Sequence, residues 1–367
     1  MKSLLTILIV LCSIPCSALR YDFKVGGIYY LITDSIKEMT VLATSNMKSL
    51  LKEEGPYNGD VVIPSSVEWN NKSYKVIGLF ATFTNCSDLV SVKLPYGLES
   101  IDTYSFANSG LSSIEIPNSV TYIGDRAFTN TKLTSVVIPE SVKEILFAAF
   151  NLNQELIDVE LPQELNVIAA GLFAGCPKLE EIRIPDSVSK IGGRAFIECR
   201  NLRKIKLPQK LISIEEEAFE SCSELSSIEI PQSVREIGDA TFAGCYNLKS
   251  VKIPEGVMSI RYLTFLDCHS LTSVSLPKTL TLIGESAFEG CKSLNSIEIP
   301  ANVTRILIDA FKDVPLTCVK LGWTSPKYFD HAVFPNPENI ELYVPAGSEY
   351  LYRQADYWKS FKKIVSY

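Results

Sequence analysis

The sequence predicts a repeat solenoid, a stack of short coils, and two periodic signals predict it. Eleven phenylalanines from Phe83 to Phe311 are separated by steps of 23, 22 and 22 residues and then 23 seven times. Prolines from Pro95 to Pro300 keep the same interval, each closing an apolar triplet such as Ile228-Glu229-Ile230 or Val251-Lys252-Ile253. A unit of about 23 residues cannot bury its own apolar face, so each coil stacks on its neighbours. Function is then expected on the long repetitive exterior rather than in a pocket.

Within one coil each segment has a role. In Leu248-Lys249-Ser250-Val251-Lys252-Ile253-Pro254, Val251 and Ile253 alternate around Lys252, the pattern of a short strand with one face buried. The proline ends it, because it has no N–H for a continuing ladder. Val257 and Ile260 predict a second short extended arm. Phe265 and Cys268, three apart, predict a short helical turn with both side chains on one side. A small residue usually precedes the phenylalanine, as at Ala127, Ala195, Ala218, Ala287 and Ala310, which allows close approach between stacked turns.

At a strand spacing of about 4.8 Å, ten or eleven such coils make one elongated body about 50 Å long, and its open ends need covers. Residues 19–60 are expected to form a β-rich N-terminal cap, with a hairpin over Tyr21–Ser45 turning at Gly26-Gly27. Residues 61–317 carry the coils, and 318–367 an irregular last coil and a strand–helix C-terminal cap. There Leu342 to Pro345 reads as a last strand. Ser348 opens an amphipathic helix through Phe361, with Tyr352, Trp358 and Phe361 available for docking.

Residues 1–18 read as a signal peptide: Lys2, an apolar stretch from Leu4 to Leu11, and Cys16-Ser17-Ala18 as a cleavage site. The expected location is therefore secreted, cell-surface or periplasmic. Leu11 before Cys12 and Pro15 before Cys16 disfavour a lipid anchor. No later segment approaches the roughly 20 apolar residues of a membrane span. Hydrophobic content of 46% with 21% charged residues is that of a folded soluble chain, and the net charge of -7, without a basic run, argues against nucleic acid as partner.

The coil from Leu225 to Cys245, Leu-Ser-Ser-Ile-Glu-Ile-Pro-Gln-Ser-Val-Arg-Glu-Ile-Gly-Asp-Ala-Thr-Phe-Ala-Gly-Cys, resembles the leucine-rich repeats of BspA-like bacterial surface proteins. The resemblance covers roughly residues 61–317. Both ends are similar to the caps of members from gut and oral Gram-negative anaerobes. It implies a leucine-rich-repeat-like solenoid in secreted or surface proteins, some of which bind host matrix proteins. It brings no catalytic residues and no cofactor.

Three features of the chain are candidates for chemistry. Cys176, Cys199, Cys222, Cys245, Cys268 and Cys291 form a column three residues after each phenylalanine, with Cys86 in the same register. Disulfides between neighbours are one reading, given export. Yet Ser109, Thr131 and Asn153 fill the same slot in other coils, which favours small, buried, free side chains serving the loop backbone. Metal binding ranks lower, since Cys-x-x-Cys is absent and the only histidines, His269 and His331, lie far apart. No two carboxylates are placed to converge for acid–base work, and an enzyme is the least favoured reading.

The third feature is the outward face of the first strand. Between its buried aliphatics the chain carries Lys93, Glu115, Glu160, Arg183, Lys206, Glu229, Lys252 and Glu298, with complementary steps from Glu160 to Arg183, Lys206 to Glu229 and Glu229 to Lys252. A second column is rich in serine, including Ser227, Ser250, Ser273 and Ser296, and is interrupted by Asp158, Glu181 and Lys204. Such a face is either a solvated surface with modest ion pairs or a polar recognition strip. The candidate partner-binding residues are Glu160, Glu181, Arg183, Arg203, Lys204, Lys206, Glu229 and Lys252. Three coils that read Leu146-Phe147, Arg261-Tyr262-Leu263 and Leu307-Ile308, where others use glycine, are candidate apolar contacts or local packing. The expected function is a non-catalytic binding module engaging a host or envelope protein, or a glycan, along its strand face, with no cofactor and as a monomer. The alternative is a structural or assembly component of the cell envelope.

Overall fold

The structure is a computed structural model that describes residues 21–33, 39–45, 57–329 and 331–367. The expected signal segment lies outside the described residues. The chain divides into two compact units, 1–165 and 166–367, and each is a β-solenoid of stacked coils.

In the first unit a hairpin joins Phe23–Val25 to Ile28–Ile32 across Gly26 and Gly27, whose φ values of 55° and 89° suit a two-residue turn. Ile28–Ile32 pairs antiparallel with Thr40–Thr44, which runs parallel to Lys72–Phe80. From there the second arms Ser100–Ile101, Tyr122–Ile123 and Glu144–Ile145 add in parallel, one per coil. Phe83, Phe106, Phe128 and Phe150 stack with ring centroids 5.0, 5.1 and 5.0 Å apart.

The second unit repeats this plan. Its first arms pair in parallel as Glu181–Arg183 with Lys204–Lys206, and as Ser250–Lys252 with Ser273–Ser275. A four-stranded run follows from Ser296–Ile299 through Cys318–Leu321 and Glu341–Val344 to Lys363–Ser366. The phenylalanine column continues from Phe173 to Phe334, and the rings of Phe196 and Phe219 lie 5.4 Å apart and 1° from parallel. Each ring from Phe173 to Phe334 is fully buried, and stacked aromatic pairs contribute about 0.5–1.5 kcal/mol each beyond the area they bury.

The segment around each phenylalanine is not the helical turn its spacing predicts. Residues two before and two after the phenylalanine are left-handed: Glu217 and Ser221 flank Phe219 with φ of 55° and 59°, and Ala240 and Gly244 flank Phe242 with φ of 50° and 70°. This alternation turns every second peptide along the stacking direction. Glu217, Phe219 and Ser221 donate their N–H groups to Asp239, Thr241 and Ala243 of the next coil at 2.8, 2.9 and 2.7 Å. The intervening N–H groups close short turns within the coil, as from Ala243 to Ala240 and from Cys245 to Phe242. A helix would have spent all these donors locally. The turn instead forms a third ladder, which offsets the cost of about 1 kcal/mol or more per left-handed residue.

Two expected first arms, Ile114–Ile116 and Ile228–Ile230, join no ladder although Glu115 and Glu229 still point outward between inward-facing aliphatics. The C-terminal cap also differs. The helix covers only Glu349–Gln354, and Ser348 does not cap it through its side chain. Its hydroxyl donates to the Thr324 carbonyl at 3.0 Å. The chain then returns as Lys363–Ser366, because Trp358 and Phe361 pack on Phe334 at 6.4 and 6.2 Å and draw it back over the last coil. Arg353 donates to the Ile364 carbonyl at 2.7 Å, which blocks that edge strand against further pairing.

Candidate functional site

The first arms present the sequence-predicted residues on an exposed face. In the second unit Glu181 stands opposite Lys204, and Arg183 opposite Lys206. Ile182 and Ile205 between them are buried, so the alternation of the strand holds the charged side chains in solvent. Arg203, Lys204, Lys206, Glu229 and Lys252 are likewise exposed. Glu160 belongs to the first unit, where it lies beside Val137, an apolar residue 59% exposed.

Opposed like charges such as Arg183 and Lys206 repel, and the expected complementary steps do not relieve them. Neither Lys206–Glu229 nor Glu229–Lys252 closes as an ion pair among the described residues, and neither does Glu181–Lys204, although only the arm carrying Glu229 is laddered to neither neighbour. Elsewhere in the same unit some cations are matched, while Lys210, Arg235, Lys278, Lys292 and Arg305 form no ion pair among the described residues. Lys190 meets Glu215 at 2.6 Å, Arg194 meets Glu217 at 2.7 Å, Arg261 meets Glu236 at 2.7 Å and Lys312 meets Glu289 at 2.7 Å. Farther along the first-arm face, Lys320 and Glu298 pair at 3.1 Å.

Grooves open on this face where the first-arm ladder is interrupted. One is lined by Lys204, Lys206, Gln209, Ser227 and Glu229, at the break before Ile228–Ile230. A second lies between Ser273–Ser275 and Ser296–Ile299, with Lys278, Glu298 and Asn302 in its wall. In the first unit Lys93, Tyr96 and Glu115 line the third, at the break before Ile114–Ile116. These grooves escaped the sequence reading. Ile228-Glu229-Ile230 has the same pattern as its laddered neighbours, so the break leaves no local signal.

The buried slot behind the phenylalanines is structural. Cys199, Cys222, Cys245, Cys268 and Cys291 donate their S–H groups to the carbonyls of Phe173, Phe196, Phe219, Phe242 and Phe265, at 3.1 Å for the first and 3.2 Å for the others. These thiols are free, as are those of Cys86 and Cys318. Burial raises their pKa, to about 11 at Cys86 and about 12 at Cys291. In the first unit Asn153 fills the slot, donating to Phe128 and Phe150 carbonyls at 2.8 and 2.7 Å and accepting from the Thr131 N–H at 2.9 Å. No group of three or more potential metal ligands converges among the described residues.

Of the three apolar irregularities, Phe147, Tyr262 and Ile308 are 43, 47 and 52% exposed. The Arg126 guanidinium sits over the Phe147 ring at 4.7 Å, so one face of this ring is occupied within its own unit. The nearest approach to a titratable cluster lies on the turn wall. There Arg194 hydrogen-bonds Glu217 and holds its carboxyl below the usual range, while burial first and the neighbouring Glu217 second push Glu220 up. That pair serves a salt bridge between successive coils.

The BspA type leucine-rich repeat region matches over residues 75–203, 166–271, 189–321 and 258–355. Among solved structures the chain is similar to a leucine-rich repeat protein from Bacteroides ovatus, at 24% identity and a TM-score of 0.61, covering 94% of this chain and 91% of that one. It is also similar to the pneumococcal vaccine antigen PcpA, at 18% identity and a TM-score of 0.59, covering 94% and 98%. Both likenesses concern the fold. No protein of curated function matches the chain. The matched repeats, the stacked coils and the buried phenylalanine column together place the chain in the BspA-type leucine-rich repeat family.

Proposed function

We propose that this protein is an exported, surface-exposed and non-catalytic binding module that engages a partner along its first-arm face. One observation carries the reading: on that face Arg183, Arg203, Lys204, Lys206, Lys249 and Lys252 stand exposed on successive coils without an ion pair among the described residues, and Arg183 and Lys206 directly oppose each other. Like charges directly opposed on neighbouring strands repel, and an anionic group on a partner would relieve that repulsion. Many weak contacts repeated over successive coils sum to useful affinity. Export rests on Lys2, the apolar stretch from Leu4 to Leu11 and the small residues before Leu19.

A pull-down with the chain from Leu19 onward, run in parallel against a host matrix extract and an envelope extract of the source bacterium, tests this reading. Saturable retention of a partner, abolished by substituting the first-arm cations, is expected. Retention that survives those substitutions would show that another wall, or a purely structural role, is the correct one.

A further inference from the structure

The first-arm face of the second unit has the chemistry of a site for an acidic sugar chain. From Glu180 to Ser275 its arms expose six cations, Arg183, Arg203, Lys204, Lys206, Lys249 and Lys252, against three carboxylates, Glu180, Glu181 and Glu229. Six minus three leaves +3 on a face of a chain whose formal net charge is -7. None of the six cations forms an ion pair among the described residues. Alongside them Ser227, Ser250, Ser273 and Ser296 form a column of exposed hydroxyls that make no hydrogen bond to the protein.

Four features select among partners. No aromatic side chain stands on the outward positions of these arms, so there is no stacking platform for bases. Neutral sugars, which lean on such platforms, are disfavoured for the same reason. A hydroxyl column beside separated cations matches a ligand that alternates hydroxyl and acidic groups. Two strand spacings, about 10 Å, separate Lys206 from Lys252, which is the length of a disaccharide in an extended chain. The groove lined by Lys204, Lys206, Gln209, Ser227 and the single carboxylate Glu229 holds about 250 Å³, below the roughly 300–1,000 Å³ of an enclosing small-molecule pocket. It suits one residue of a polymer.

We propose that residues 181–275 bind a linear anionic polysaccharide running along the stacking direction. Its carboxylate or sulfate groups would rest on Arg183, Lys206 and Lys252, and its hydroxyls on the serine column. The inference rests on the binding-module reading above and names its ligand class.

The test is affinity electrophoresis of the chain from Leu19 onward through gels containing polygalacturonate, heparin or neutral dextran, with duplex DNA as a competing polyanion. Arg183→Ser, Lys206→Ser and Lys252→Ser are combined in one variant. A charge-matched variant combines Lys190→Ser, Arg261→Ser and Lys312→Ser on the other walls. Retardation is expected in polygalacturonate or heparin and not in dextran. The first variant is expected to weaken it at least about tenfold, three charge-assisted contacts being lost, and the second to leave it unchanged. Far-ultraviolet dichroism checks that both variants fold. Preference for polygalacturonate identifies carboxylate as the recognised group, and preference for heparin identifies sulfate.

Equal losses in the two variants, equal retardation in dextran, or displacement by DNA at equal charge concentration would overturn the proposal. Absence of polysaccharide binding together with a partner retained in the pull-down would also overturn it, while leaving the binding-module reading standing.

Discussion

Raising the pH should unfold the second unit through its buried thiols, and the size of the effect follows from their placement. Cys199, Cys222, Cys245, Cys268 and Cys291 are completely buried, and desolvation, the largest cause in each case, raises all five thiol pKa values. In the unfolded chain a thiol titrates near 8.5. A folded-state pKa raised above the unfolded one means that the stability is fully present below about pH 8.5 and is lost as pH rises toward the folded value. At pH 10 the folded thiols remain protonated, while an unfolded one lies about 1.5 pH units above its pKa and gains about 2 kcal/mol by ionising. Five thiols together give roughly 10 kcal/mol, comparable to the whole stability of a typical domain.

The assay is urea denaturation under reductant at pH 7 and pH 10, on the native chain and on a Cys222→Ala/Cys245→Ala variant, each referred to its own value at pH 7. Self-reference cancels the packing cost of the substitutions. The variant should lose about 4 kcal/mol less stability between the two pH values, two thiols having been removed. An identical pH dependence in the two proteins would refute the argument, showing that the column is either solvated or already ionised in the native state.

Two further outcomes follow from the packing. Ser109 occupies the cysteine slot of the first unit, and its buried hydroxyl has no hydrogen-bond partner. Ser109→Cys lengthens the reach toward the Phe83 carbonyl, 26 residues back as in the other coils, and should raise stability by about 1 kcal/mol in urea titrations. An ideal Cβ added at Gly238 would lie 2.3 Å from the backbone nitrogen of Glu216. Gly238→Ala should therefore destabilise by about 2 kcal/mol or more, visible as a lower thermal midpoint, with the sharpest loss of hydrogen-exchange protection at Glu215–Glu217.

How legible each feature was depended on the distance over which its cause acts. Phe219, Cys222, Leu225, Ile228 and Val234 all point into the core because one coil cannot bury them alone, and that requirement is written in the spacing. The cysteine slot was readable for the same reason, since Ser, Thr, Asn and Cys share little beyond small size and hydrogen-bonding capacity. The turn around each phenylalanine is helical by its spacing and left-handed at two positions in the structure. Glu217 and Ser221 carry no intrinsic preference for left-handed backbone, and only the N–H bonds to the next coil compensate them. The end of the C-terminal helix at Gln354 likewise depends on Phe334 receiving Trp358 and Phe361 from a distant part of the chain.

The candidate site divides in the same way. Its residues, Glu181, Arg183, Arg203, Lys204, Lys206, Glu229 and Lys252, could be named from the alternation of buried and outward positions. The sequence by itself determined the solenoid, its period, its buried columns and which side chains face water, because periodic burial is a local property that repeats. Tertiary structure alone decided that the Lys206–Glu229 and Glu229–Lys252 pairs stay open, that grooves form at the ladder breaks, and that Lys190 and Arg194 find carboxylates on the next coil while Arg183 and Lys206 do not. Such outcomes depend on distances between coils, which are set by how all three walls of the stack pack at once.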